Sequence, residues 1–132
     1  MKNFTITELS ASATATRMRI QNIPAPAHIT ALTALVNNVL DPLRDAWGAP
    51  IRVTSGYRSP ALNRAVGGTP TSQHLRGEAA DITAGSPEAN RQLFKLAIRL
   101  QLPFDQLIDE KDYSWIHVSY SPRHRRNILH LR

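Results

Sequence analysis

The spacing of hydrophobic positions divides the chain into segments of different period. Ile29, Leu32, Val36, Val39 and Leu43 recur at steps of three and four, which places them on one stripe of a helix from about Ala27 to Trp47. Pro42 falls inside that stripe and is expected to kink the helix or split it in two, because it lacks the N–H that the helix interior needs. Ahead of it, beyond Pro24 and Pro26, Thr7 or Ser10 is expected to cap a short first helix that runs to about Arg17. The Gly48-Ala49-Pro50 turn ends the long helix, and Ile51-Arg52-Val53-Thr54 reads as a short strand.

From Ser55 to Gly77 the chain is rich in Gly, Pro, Ser, Thr and Asn, with one helical turn predicted at Pro60–Ala65, where proline suits a helix start. Long irregular connections in small domains are functional or disordered, and the segments flanking this one are well patterned. Glu78–Thr83 reads as a strand. Pro87–Leu100 reads as a helix with Leu93, Leu96, Ala97 and Leu100 on one face, and Asp105–Glu110 and Trp115–Tyr120 as two more strands joined by a short turn. This order predicts an α+β fold in one domain over residues 1–132, a small, mostly antiparallel sheet packed against helices.

Composition narrows the function. A chain of 132 residues with 42% hydrophobic and 20% charged positions has material for one core and does not resemble a disordered tail. Its net charge of +6 favours polyanionic partners, either nucleic acid or an anionic cell envelope. The absence of Cys excludes disulfide scaffolds, thiolate zinc fingers and cysteine nucleophiles, so a transition metal must be held by His, Asp and Glu. The first residues carry no apolar run of signal-peptide length and no later stretch approaches a membrane span, which predicts synthesis and folding in the cytosol without membrane insertion. The basic cluster Arg123-His124-Arg125-Arg126, with Arg132 behind it, reads as a solvated tail, the alternative being a contact with an anionic polymer.

Three residues are good borderline metal ligands where ordered backbone can aim them: His74, Asp81 and His117. By strand alternation, Asp81 shares a face with Ala79 and Thr83, and His117 with Trp115 and Ser119. If the two strands are neighbours and their Ile/Val faces pack on the helices, Asp81 and His117 project from the open face of the sheet and His74 closes over them. Two imidazoles and one carboxylate form a three-ligand zinc set that leaves the fourth position for water, the arrangement of catalytic zinc. His28, His124 and His130 are assigned no part in it, and Trp115 reads as a packing residue beside the site.

The run Ser72-Gln73-His74-Leu75-Arg76-Gly77-Glu78-Ala79-Ala80-Asp81 matches the pattern S-x-H-x-x-G-x-A-x-D. With Ser55-Gly56-Tyr57-Arg58-Ser59 upstream and Trp115-Ile116-His117-Val118-Ser119 downstream, the chain resembles the M15 zinc peptidases, D-alanyl-D-alanine carboxypeptidases and related peptidoglycan peptidases, in their short, single-domain, phage-type branch. The resemblance implies one zinc ion on His74, Asp81 and His117, with Arg58 near the scissile carbonyl and Ser72 and Gln73 helping to orient the substrate backbone. A fixed guanidinium suits that place, since its donors stabilise the oxyanion that develops when an amide is attacked. The sequence departs from the family at one point: many members carry an acidic residue three positions before the last histidine, where this chain has Ser114. Glu110 is therefore the expected general base, with Asp112 and Asp109 as the alternatives.

The function so implied is hydrolysis of a peptide bond in the stem or cross-link of bacterial peptidoglycan, as a D,D-carboxypeptidase or endopeptidase. The protein would act as a monomer, reach the wall as a phage lysin or virion component, and find anionic wall polymers as further partners. Two other readings compete. A metal-bound but inactive virion structural protein is prompted by Ser114. A nucleic-acid-binding module is prompted by the charge, although 6% aromatic residues provide no stacking platform.

Overall fold

The computed structural model describes residues 1–131, and Arg132 lies outside the described residues. The chain opens with two short helices where one was expected. Thr5 Oγ1 accepts from Glu8 N at 3.1 Å and Glu8 Oε1 accepts from Thr5 N at 3.2 Å, a reciprocal cap that starts α1 (Ile6–Ser10). Ser12 then caps α2 (Ala13–Met18) by accepting from Ala15 N at 3.1 Å. Neither Thr7 nor Ser10 is the cap, because a Ser/Thr-rich segment offers several side-chain acceptors and the chain restarts at a later one.

The long helical segment continues through Pro42 without breaking. It runs as α3 (Pro26–Leu35), one π-helical stretch (Val36–Leu40) and α4 (Asp41–Trp47), ending at Gly48 with a φ of 73°. The wider turn lies just before the proline, where the missing N–H and the ring remove an ordinary i→i−4 bond. It also widens the buried stripe. Leu32, Leu35, Val36, Val39, Leu40 and Leu43 are all buried, whereas Ile29, expected in the stripe, is exposed.

The sheet has five strands in the order β1-β2-β4-β3-β5: β1 (Arg52–Ser55), β2 (Ala79–Thr83), β3 (Gln106–Glu110), β4 (Trp115–Ser119) and β5 (Asn127–Leu131). The first three pairings are antiparallel and β3–β5 is parallel. Ala80, Ile82, Leu107, Ile116 and Val118 face the core beside the long helix and α6 (Pro87–Arg99). On α6, Leu93, Phe94, Leu96 and Ala97 are buried, and Leu100 is exposed because it lies past the last turn. The segment between β1 and β2 contains the expected helical turn, α5 (Pro60–Ala65), and a 3-10 turn over Gln73–Arg76.

The C-terminal segment corrects the solvated-tail reading. After β4 the chain folds back, Arg123 and Arg125 bind Asp105, the Arg126 guanidinium lies 4.8 Å over the Phe104 ring, and β5 then pairs with β3. These cations carry structure because a buried carboxylate draws them inward. No helix among the described residues is long and apolar enough to cross a membrane.

Candidate metal centre

Strand register brings the site together. Asp81 on β2 is directly opposite His117 on β4, and His117 is opposite Ile108 on β3. Glu110 at the end of β3 pairs with Trp115, so these residues share the face that does not meet the helices. A β-bulge in β1 shifts the register so that Ser55, and not Thr54, is opposite Asp81. The extra residue re-aims the strand end, which places the Ser55 hydroxyl beside the site.

His74 arrives from the 3-10 turn. Ser72 Oγ caps that turn by accepting from His74 N at 3.2 Å, and Arg58 N donates to His74 O at 3.0 Å. The His74 ring donates from Nδ1 to the Gly56 carbonyl at 2.7 Å. In the neutral ring this leaves the Nε2 lone pair facing Asp81 Oδ1, 3.3 Å away. His117 Nδ1 approaches the same oxygen at 3.1 Å. One ligand atom from each of the three residues lies within 4.8 Å of the others. Two imidazole lone pairs and a carboxylate oxygen repel one another unless a proton or a cation lies among them. The set therefore fits a small divalent ion taking nitrogen and oxygen ligands, and the Gly56 carbonyl supplies the outer hydrogen bond that orients such a ligand histidine. Burial raises the Asp81 pKa, but when His117 and His74 carry a proton on the nitrogens that face it, their hydrogen bonds and positive charge outweigh burial and hold the carboxyl well below the usual range.

Arg58 is clamped beside this cluster. Its Nε donates to Ser55 Oγ at 3.0 Å, Nη1 to Asn63 Oδ1 at 3.1 Å, and Nη2 lies 3.4 Å from Asp81 Oδ2. Burial pushes the guanidinium pKa down, with Asp81 and Glu110 pulling it back up. Asn63 is itself fixed by donating to Thr69 O at 2.9 Å. The backbone passes this clamp at Gly68, where a Cβ would lie 2.1 Å from Asn63 Oδ1 and 2.8 Å from Arg58 Nη1. The sequence singled out Ser55 and Gly56 only as part of a motif, without a role for either, and pointed to neither Asn63 nor Gly68. The signal available was the glycine and asparagine content of the long irregular segment, which marks close backbone approach without saying to what.

The remaining expected site residues separate into groups. Arg58, Ser72, Gln73, His74, Asp81, Glu110 and His117 all border one cavity of about 660 Å³, with Trp115 in its wall. Gln73 is buried there, and its amide nitrogen donates to Asp105 Oδ2 at 2.9 Å and to Glu78 Oε1 at 3.3 Å. Its Oε1 has no hydrogen-bond partner among the described residues. Asp109 is on the opposite face of β3, opposite Ile116, buried and joined to His130 of β5. It cannot serve as the base, because alternation turns it away from the cavity. Asp112 is exposed in the β3–β4 turn and does not border the cavity. Lys111, Asp112 and Tyr113 all have positive φ in that turn, and Asn90 Nδ2 donates to Tyr113 O at 2.9 Å. The turn is thereby fixed against α6, with Glu110 at its root.

The Peptidase M15 family model matches residues 2–119. The zinc D-Ala-D-Ala carboxypeptidase of Streptomyces albus G is 37% identical over 90 residues, 64% of this chain and 32% of that protein. The chain thus spans only about a third of the length of this curated relative. A family match over nearly the whole chain, with the three motifs folded onto one cavity, places this chain in the Peptidase M15 family.

Proposed function

We propose that this protein is a zinc-dependent peptidase that hydrolyses a peptide bond of bacterial peptidoglycan. The observation that carries the reading is the convergence of His74, Asp81 and His117 within 4.8 Å on a cavity that also holds Arg58 and Glu110. The three residues would hold one zinc ion. When bound, zinc acidifies a water molecule and polarises the scissile carbonyl. Glu110 takes the proton of the attacking water and delivers it to the departing amine, the task that Ser114 cannot perform. Arg58, held by Ser55 and Asn63, directs its guanidinium at the carbonyl oxygen and stabilises the charge that gathers there during attack. Ser72 and Gln73 border the cavity beside His74 and align the peptide backbone, the free Oε1 of Gln73 accepting one of its N–H groups.

The zinc carboxypeptidase relative supports the substrate class. The net charge of +6 also suits a wall rich in phosphate and carboxylate, which concentrates a cationic enzyme. The biological setting that goes with this reading is a monomeric phage lysin or virion enzyme. Digestion of purified sacculi with and without a chelator, with products identified by mass, tests it. Soluble peptides that vanish with chelator and return with added zinc are expected, and their masses separate carboxypeptidase from endopeptidase action. Release of the same products at full rate in the presence of chelator overturns it.

A further inference from the structure

Four arginines border the cavity, Arg58, Arg76, Arg123 and Arg125, against the carboxylates Asp81 and Glu110. Arg58 serves the site already described, and Arg76 Nε is paired with Glu78 Oε1 at 3.0 Å. Arg123 and Arg125 are different. They belong to the segment after β4, beyond residue 119 where the family match ends.

Both are fixed by one buried group. Asp105 has no exposed side-chain surface, and Arg125 grips it with Nε on Oδ1 and Nη2 on Oδ2, each at 2.9 Å. Arg125 N adds a bond to Oδ1 at 3.0 Å, and Arg123 Nη2 lies 3.3 Å from Oδ2. Two guanidiniums thus share one carboxylate and keep an excess positive charge at the cavity wall. Arg125 Nη1, and Nε and Nη1 of Arg123, bond nothing among the described residues, and the two side chains remain 36% and 53% exposed. Preorganised guanidinium donors with spare N–H groups match the geometry of a carboxylate.

We infer that Arg123 and Arg125 form a carboxylate subsite in the substrate cavity, which selects peptides that carry a free carboxylate near the bond to be cut. The inference rests on the peptidase reading above for the identity of the ligand as a peptide. A wall peptide offers such a group from two sources, its C-terminus or the branch carboxylate of a γ-linked glutamate.

Three forms of the peptide L-Ala-γ-D-Glu-L-Lys-D-Ala-D-Ala distinguish them: free, amidated at the C-terminus, and amidated at the glutamate branch. Calorimetric binding to the zinc-loaded protein is read beside cleavage, so the subsite remains measurable even if no peptide is cut and the peptidase reading fails. Amidation at one of the two places is expected to weaken binding roughly tenfold or more, the cost of a lost charge-assisted pair. Arg123→Gln should erase that difference and Arg123→Lys should retain part of it. Arg123 is the position to vary because it gives Asp105 one bond, whereas Arg125 gives three. Equal binding of all three peptides, no binding of any, or undiminished discrimination by Arg123→Gln overturns the subsite.

Discussion

Asp81 and Asp105 are both buried aspartates, and adjacent residues of the same 3-10 turn reach them, His74 to the first and Gln73 to the second. Their surroundings are opposite in kind. Asp105 is saturated by groups that can only donate: two guanidiniums, an amide NH2 and a backbone N–H. Asp81 faces two imidazole nitrogens, each able to present a lone pair as well as a proton towards its oxygen, and a single guanidinium contact at 3.4 Å. Permanent donors close a carboxylate into a structural joint. Lone pairs gathered around one leave a place for a cation. The pKa of each carboxyl is held well below the usual range, so depression of a pKa does not separate site from scaffold here, whereas the chemistry of the partners does.

The sharpest break in this comparison comes at the metal cluster. His74→Ala or Asp81→Ala should abolish stoichiometric zinc, read by elemental analysis of dialysed protein, together with detectable hydrolysis, while the far-ultraviolet circular dichroism is retained. Full zinc in either variant would move the ion elsewhere. Glu110→Gln should be next in size. It keeps zinc and loses about two to four orders of magnitude in kcat, the usual contribution of a positioned general base. Undiminished turnover in this variant shifts the proton acceptor away from Glu110.

On the other side of the comparison, Asp105→Ala should leave zinc binding in place and lower stability. Loss of the acceptor for Gln73 and for the Arg125 backbone N–H is expected to cost about 2 kcal/mol or more, a fall in Tm of roughly 5–10 °C for a chain of this size. The same carboxyl makes a pH prediction. Its hydrogen bonds with Arg125 hold its pKa below the unfolded value, against the opposing effect of burial. Such a group contributes its stability in full above the ordinary carboxylate range, and that stability is lost as pH falls below about 4 and on through the lower folded pKa. Thermal melts of the wild type should therefore weaken on acidification, and Asp105→Asn should flatten that acid limb. An unchanged slope in the variant would assign the acid sensitivity to other groups.

The same contrast explains what the sequence made legible. Asp81, His117 and the strand face they share follow from alternation within short segments, and His74 lies seven residues before Asp81 in a recognisable motif. Local periodicity suffices there. Asp105 meets its arginines 18 and 20 residues away across an irregular segment, where no period exists to read. β5 was hidden for a related reason, since all five of its residues are exposed and give no alternation between buried and solvent faces. The Arg–Asp105 joint lies just before the strand and brings the chain to the edge of β3, where β5 pairs. Asp109 shows the method working in reverse: its place one residue before Glu110 already sets it on the other face, and strand parity alone would have removed it as a base.

The smallest effect tests whether the clamp on Arg58 belongs with the reacting side of the comparison. A Cβ at residue 68 would overlap Asn63 Oδ1, so Gly68→Ala must displace the Asn63 amide and with it the Arg58 guanidinium, the nearest atoms to that Cβ belonging to these two residues and not to His74, Asp81 or His117. Zinc content should be unchanged, and the variant should show kcat lowered by about tenfold with KM little altered, since a small misplacement of an oxyanion donor acts mainly on the transition state. Overpacking should also cost about 1–3 kcal/mol of stability. Asn63→Ala relieves the overlap at Gly68 but also releases Arg58, so the double variant should be no faster than Gly68→Ala alone. A double variant that regains wild-type kcat would show that Arg58 needs no clamp to reach the carbonyl.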